Sequence, residues 1–232
     1  LSIVFIASLF YLFMFYIRIM PSVLANELMA AFNTGATGVG HITTSFLYGY
    51  AFVQIPTGIV IDRLGCRKSL LLGMLTCSIS LWFLQMSASV LQASTARVIM
   101  GIACGTAFIA PLTLARSLLP SHFFSPIAGI IQLLGCIGAM FSMPSILYIS
   151  RIIGWQDSIG QVAILGFMIT LLFYLFIPKD SPDLQENNRN SALTSFIRLI
   201  TSKRSWLIGM VAMASWAPIG GFAEIWGKEY LQ

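Results

Sequence analysis

Few side chains in this 232-residue sequence can do chemistry, and most that can interrupt apolar runs. Arg18 closes the run FYLFMFYI, Arg97 precedes VIMGIACG, Gln132 stands in GIIQLLG, and Glu224 lies in GGFAEIWGKEYL. A guanidinium in or near lipid must face a cavity or a partner. Its planar fork suits a carboxylate or phosphate by bidentate pairing. The alternative for Arg18 and Arg97 is a charge that snorkels to the headgroups. Glu224 is suited to carrying a proton or pairing with a cation, or else balances Lys228 at an interface. His41 titrates in a range that serves proton coupling, but its position also fits a solvated outer loop. Gln132 is a candidate hydrogen-bonder of a solute, or a bridge between two helices.

Other chemistries find no support. There is no G-x-x-x-x-G-K-[ST] loop for nucleotide phosphates, no grouping of His, Cys and acids for a metal, and no nucleophile–base pattern, so no enzyme and no cofactor are expected. The formal charge of +5 is not gathered on a polar face, which argues against nucleic acid as a partner. Cys66, Cys77, Cys104 and Cys136 lack C-x-x-C spacing and read as small buried hydrophobes.

The elements that must position these residues are membrane helices. Hydrophobic residues make up 57% of the chain and charged residues 9%, against about 45–50% and about 25% in soluble domains. Seven runs approach the ~20 apolar residues that a spanning helix needs, near 3–20, 41–61, 69–88, 92–113, 126–149, 158–177 and 205–227. Arg63, Arg67 and Lys68 follow the second run, Arg116 the fourth, and Lys179, Arg189, Arg198, Lys203 and Arg204 the sixth. Lys and Arg resist translocation, so these loops are expected to be cytoplasmic, with a cytoplasmic N-terminus. The polar stretch 179–204 reads as a central linker. Within it Leu193, Phe196, Ile197 and Ile200 have the spacing of a short helix on the cytoplasmic membrane face. The expected organisation is a six-helix bundle at 1–178, the linker at 179–204, and the first helix of an incomplete second bundle at 205–232. An odd count of seven spans and apolar ends suggest a cut molecule.

The most ordered motif is GIVIDRLGCRKSL, Gly58 to Leu70. Gly58 would allow close helix contact, Asp62 and Arg63 would end a helix at the interface, Gly65 would make a tight turn, and Arg67 and Lys68 would hold the next helix inside. Gly58, Asp62, Arg63, Gly65, Arg67 and Lys68 resemble the signature between helices two and three of the major facilitator superfamily, with Cys66 in place of a basic residue. Arg97, Gly101 and Gly105 are similar to that family's fourth-helix motif. Gly129, Gly135, Gly138 and Pro144 loosely resemble its glycine-rich fifth-helix motif, without the final Gly-Pro pair, so antiport does not follow. Gln54, Pro56 and Gly58 resemble the lead-in of the organic-anion branch, and Gly154-Trp155-Gln156 resembles an outer-loop G-W-R.

The resemblance implies an all-α polytopic bundle of inverted three-helix repeats, truncated after about seven transmembrane helices, with the solute at the midplane against a missing C-terminal bundle. Helices one, four and seven would line the cavity, making Arg18, Arg97 and Glu224 candidate substrate-binding or coupling residues, beside Tyr11 and Trp216. The Asp62 motif would act as a gate by engaging a helix N-terminus of the absent bundle. Gly101, Gly105, Gly135 and Gly138 would serve helix packing. The expected protein is a secondary transporter of a small polar organic solute, an anion among the candidates, in the cell (inner) membrane. Its partners would be the solute, the lipid bilayer and, through Glu224 or His41, protons. Peptide, amino-acid or drug carriage, a non-transporting sensor, and a truncated remnant are the alternatives.

Overall fold

The computed structural model describes residues 2–178 and 201–219, all of whose regular elements are helical. In order they are α1 (Ser2–Val23), α2 (Ala25–Ala31), α3 (Ala36–Leu64), α4 (Cys66–Gln85), α5 (Val90–Cys104), α6 (Thr106–Leu118), α7 (Phe124–Ile153), α8 (Trp155–Phe176) and α9 (Lys203–Ile219). A 3₁₀ turn, Ser121–Phe123, precedes α7. Lipid offers backbone N–H and C=O groups no partners, so a chain this apolar must satisfy them within its own helices. Its many Ser and Thr residues follow the same rule. Ser8 donates to Val4 O, Ser78 to Met74 O and Thr170 to Gly166 O, each one turn back.

Five helices are long and apolar enough to cross a membrane: α1, α4, the pair α5–α6 as one stretch, α7 and α8. A sixth, α3, bends by 63° between Ala36–Gln54 and Pro56–Leu64. Pro56 has no N–H for the carbonyl of Phe52, which weakens the helix at that point. The packed unit lies within residues 1–185, and a second unit within 186–232 contains α9.

Two sequence-based expectations need correction. Span two starts earlier, at Ala36 rather than near 41, which puts His41 in the second turn of α3. The seven-residue α2 escaped notice because it is too short to cross and carries Asn26 and Glu27. Span four runs as one stretch, Val90–Leu118, with a single tighter turn at Gly105, whose backbone N–H bonds Ile102 O at 3.2 Å between α5 and α6.

Close packing is made by small residues. A Cβ at Gly101 would run into the carbonyl of Phe46, and one at Gly49 into that of Val98, so α3 and α5 touch backbone to backbone. Gly138 meets the Leu12 carbonyl of α1 in the same way, while Gly135 leaves room for the Tyr11 ring. At Gly58, by contrast, no described atom lies within 4 Å of a virtual Cβ. The close contact expected there is not made inside this bundle.

Gly65 links α3 to α4 with φ 85° and ψ 163°, and Gly154 links α7 to α8 with φ 87° and ψ 162°. Each gives its N–H to the helix behind (Ile61 O and Ser150 O) and its carbonyl to the helix ahead (Ser69 N and Ser158 N). That region of backbone space is essentially closed to residues with a Cβ, at about 1–3 kcal/mol each. Gly65→Ala and Gly154→Ala should therefore each lower the thermal unfolding midpoint of the purified protein in detergent. Gly129→Ala, inside α7 where a Cβ meets open space, should not lower the midpoint, because alanine is the better helix former.

Candidate functional site

Arg97 lies in α5 with 0% of its surface exposed, among the largest fully buried side chains. The outward-snorkelling alternative is thereby excluded. Its Nη1 donates to Ile17 O at 3.0 Å and its Nη2 to Arg18 O at 3.2 Å, both carbonyls of α1. Nη1 also meets Met100 Sδ at 3.4 Å, and the Phe46 ring lies 4.7 Å from the guanidinium carbon.

The choice of acceptor has a cause in the sequence. Within a helix, Ile17 O would accept the N–H of residue 21, but residue 21 is a proline inside α1 and has none. A buried carbonyl without a donor costs about 1–3 kcal/mol, and Arg97 supplies the donor. Next to it, Ser142 Oγ of α7 donates to Tyr16 O at 2.7 Å. Three successive carbonyls of α1, at residues 16, 17 and 18, thus receive side-chain donors from α5 and α7.

Arg18 itself is half-buried, with its guanidinium carbon 5.4 Å from the Phe15 ring centre. It lies within electrostatic reach of two phenols, Tyr11 of α1 and Tyr50 of α3. Tyr11 donates its hydroxyl to Gln132 Oε1 of α7 at 2.9 Å, and its ring packs on Phe108 of α6 with centroids 5.1 Å apart. Tyr50 stacks on Phe46, and Gln54 lies one turn further along α3. A cation, two phenols and two amides from three helices therefore share one neighbourhood. Such a group can bind a carboxylate through the guanidinium and hydroxyl groups through the amides and phenols.

The structure brings together Arg18, Tyr11 and Gln132, and places Arg97 behind them with its charge directed to main chain. Tyr50 and Phe108 were missed by sequence reasoning. Each sits in an apolar helix with no local signal, and only a knowledge of which helices pack against α1 would single them out. Gln54 was noted only as part of a lead-in motif. His41 is exposed on α3 and away from the cluster. Glu224 lies outside the described residues, as does the expected amphipathic helix of the linker. Trp216 falls within α9. Of the cysteines, Cys66, Cys77 and Cys104 are buried, but Cys136 is exposed on α7, because the glycines beside it, not the thiol, face α1.

At the opposite end of α3, Asp62 is half-buried, and Arg63 and Lys68 are exposed. Arg67 Nη2 donates to Tyr174 O at 2.7 Å, with the Tyr174 ring 5.4 Å from its guanidinium carbon, so it ties the start of α4 to the last turn of α8.

Residues 4–231 match the Major Facilitator Superfamily. The chain belongs to that family. It is 27% identical over 77% of its length to the probable sulfoacetate transporter of Cupriavidus necator, covering 41% of that protein. It is 24% identical over 89% of its length to the cis,cis-muconate transport protein of Acinetobacter baylyi, covering 52%. Superfamily members thus matched are about twice as long, and the chain spans about half their length. Among solved structures, the xylose transporter XylE from E. coli in a partially occluded inward-open conformation superposes with a TM-score of 0.69 at 17% identity, covering 94% of this chain and 59% of that one. That likeness establishes the fold, and the chain is an integral, multi-pass membrane protein of the superfamily.

If Pro21 frees the carbonyl that Arg97 caps, the two residues are energetically coupled. Arg97→Met should destabilise the protein strongly. Pro21→Ala, which restores a backbone donor to Ile17 O, should recover about 1 kcal/mol of that loss. A double-mutant cycle on unfolding midpoints checks this, and strict additivity would show that the two do not interact.

Proposed function

We propose that the protein containing this chain is a secondary active transporter of small organic anions, working by alternating access. The observation that supports this most is the half-buried Arg18 beside Tyr11, Tyr50 and Gln132. A fixed cation with neutral donors and acceptors around it suits a small carboxylate that also carries hydroxyl groups. The names of the relatives point the same way, since sulfoacetate, cis,cis-muconate and D-galactonate are all carboxylates.

Residues 1–178 form the N-terminal bundle in this reading, 179–204 the cytoplasmic linker, and 205–232 the first helix of a second bundle that completes the cavity. The N-terminus faces the cytoplasm of an inner-type membrane, because Arg63, Arg67, Lys68 and Arg116 follow the even-numbered spans. Asp62 acts as a gate from the cytoplasmic end of α3, its carboxylate meeting a helix N-terminus of the second bundle. Proton coupling would use Glu224, an acid in an apolar run. A proton:xylose symporter shares the fold.

Uptake by proteoliposomes holding the full-length protein, across carboxylates, sugar phosphates, amino acids, dipeptides and neutral sugars, tests the reading. Carboxylates should be carried best. Arg18→Ala should reduce their uptake by at least about tenfold, as expected for the loss of a charge-assisted contact worth about 1.5–3 kcal/mol. Unchanged flux and selectivity in Arg18→Ala would remove the anion assignment. Asp62→Asn should slow turnover while leaving ligand affinity nearly intact, and an equal loss of both would count against the gate.

A further inference from the structure

Away from the Arg18 cluster, two thiols meet in the interior of the bundle. Cys77 of α4 and Cys104, the last residue of α5, are each 0% exposed, and their sulfurs stand 3.7 Å apart. That is van der Waals contact, with no atom between them. The two helix backbones are close at this level. Gly73, one turn before Cys77 on the same buried face of α4, would place a Cβ 2.9 Å from Ala103 O and 2.7 Å from Thr106 Oγ1. Thr106 Oγ1 in turn donates toward Ser69 O, one further turn back along α4. Ser69, Gly73 and Cys77 thus form an i, i+4, i+8 stripe that holds both sides of the Gly105 break against α4.

We propose that Cys77 and Cys104 are an oxidative cross-linking site that fastens α4 to the break between α5 and α6. The oxidant is a small neutral peroxide, able to cross lipid. One thiol attacks the peroxide oxygen and becomes a sulfenic acid, releasing one water. The second thiol attacks the sulfenic sulfur, forming the S–S bond and releasing another water. Two thiols and one hydrogen peroxide thus become one disulfide and two waters, two electrons passing from sulfur to oxygen. Closing the bond requires the sulfurs to approach from 3.7 Å to about 2.05 Å. Once formed, it ties α4 covalently to the α5–α6 span beside Gly105, and the transport cycle slows.

The test uses the full-length protein in proteoliposomes, treated with hydrogen peroxide, denatured, alkylated and mapped by mass spectrometry. Cys77 and Cys104 should be recovered as one linked peptide pair, lighter by two hydrogens, while Cys66 and Cys136 never appear linked to them. Uptake should fall on oxidation and return with dithiothreitol, and Cys77→Ser and Cys104→Ser should each remain active and insensitive to peroxide. Recovery of both residues as separately alkylated thiols after treatment overturns the proposal, and so does full activity of the cross-linked protein or equal peroxide inhibition in the serine variants. Should either serine variant fail to fold, the reversible linkage and loss of uptake in the unsubstituted protein decide the matter on their own.

Discussion

A single positive charge buried in an apolar bundle is the constraint around which the rest is arranged. Arg97 is fully buried, and the two α1 carbonyls it reaches must hold still for it to be tolerated. Pro21 makes one of those carbonyls available, and Ser142 steadies the one before it from α7. The glycines at 49 and 101 follow from the same demand. A short reach from α5 to α1 requires α5 to sit deep against α3, and any side chain at these positions would lift it away. Both terminal nitrogens of the guanidinium are held by main-chain carbonyls, while its buried Nε has no partner among the described residues.

This arrangement also separates two arginines that look alike in the sequence. Both interrupt apolar runs, and both were candidates for touching solute. Arg97 spends its donors on main chain, while Arg18, whose carbonyl Arg97 holds, keeps its side chain half-exposed among phenols and an amide. The buried arginine positions the backbone from which the accessible one projects.

Much of the bundle was legible in the sequence because lipid imposes one strong rule, a run of apolar residues per crossing, and the six runs up to residue 177 each correspond to a helix. The turn at Gly65 was legible for a local reason, since only glycine adopts its backbone angles. What stayed hidden depends on contacts between distant segments. Gly105 reads as one more small residue in a helix, and its break is visible only against Val53 and Thr57 of α3. Tyr50, Phe108 and the Cys77–Cys104 pair carry no pattern of their own, because helix periodicity gives the face of a residue and not the identity of its neighbour.

The two glycine turns, at 65 and 154, have nearly the same backbone angles and each joins the second helix of a three-helix set to the third. Three crossings separate them, so they face opposite sides of the membrane. The tightest packed pairs, α3 with α5 and α1 with α7, exchange when one set is laid on the other, while α4 with α8 maps onto itself. The helix pairing is therefore that of two inverted three-helix sets, although α2 and the 63° bend of α3 belong to the first set alone. The two turns also differ in charge: Asp62 and Arg63 precede one and Arg67 and Lys68 follow it, whereas Arg151 precedes the other and Asp157 follows it. One backbone turn thus occurs twice in the bundle, each time dressed with a different set of charges.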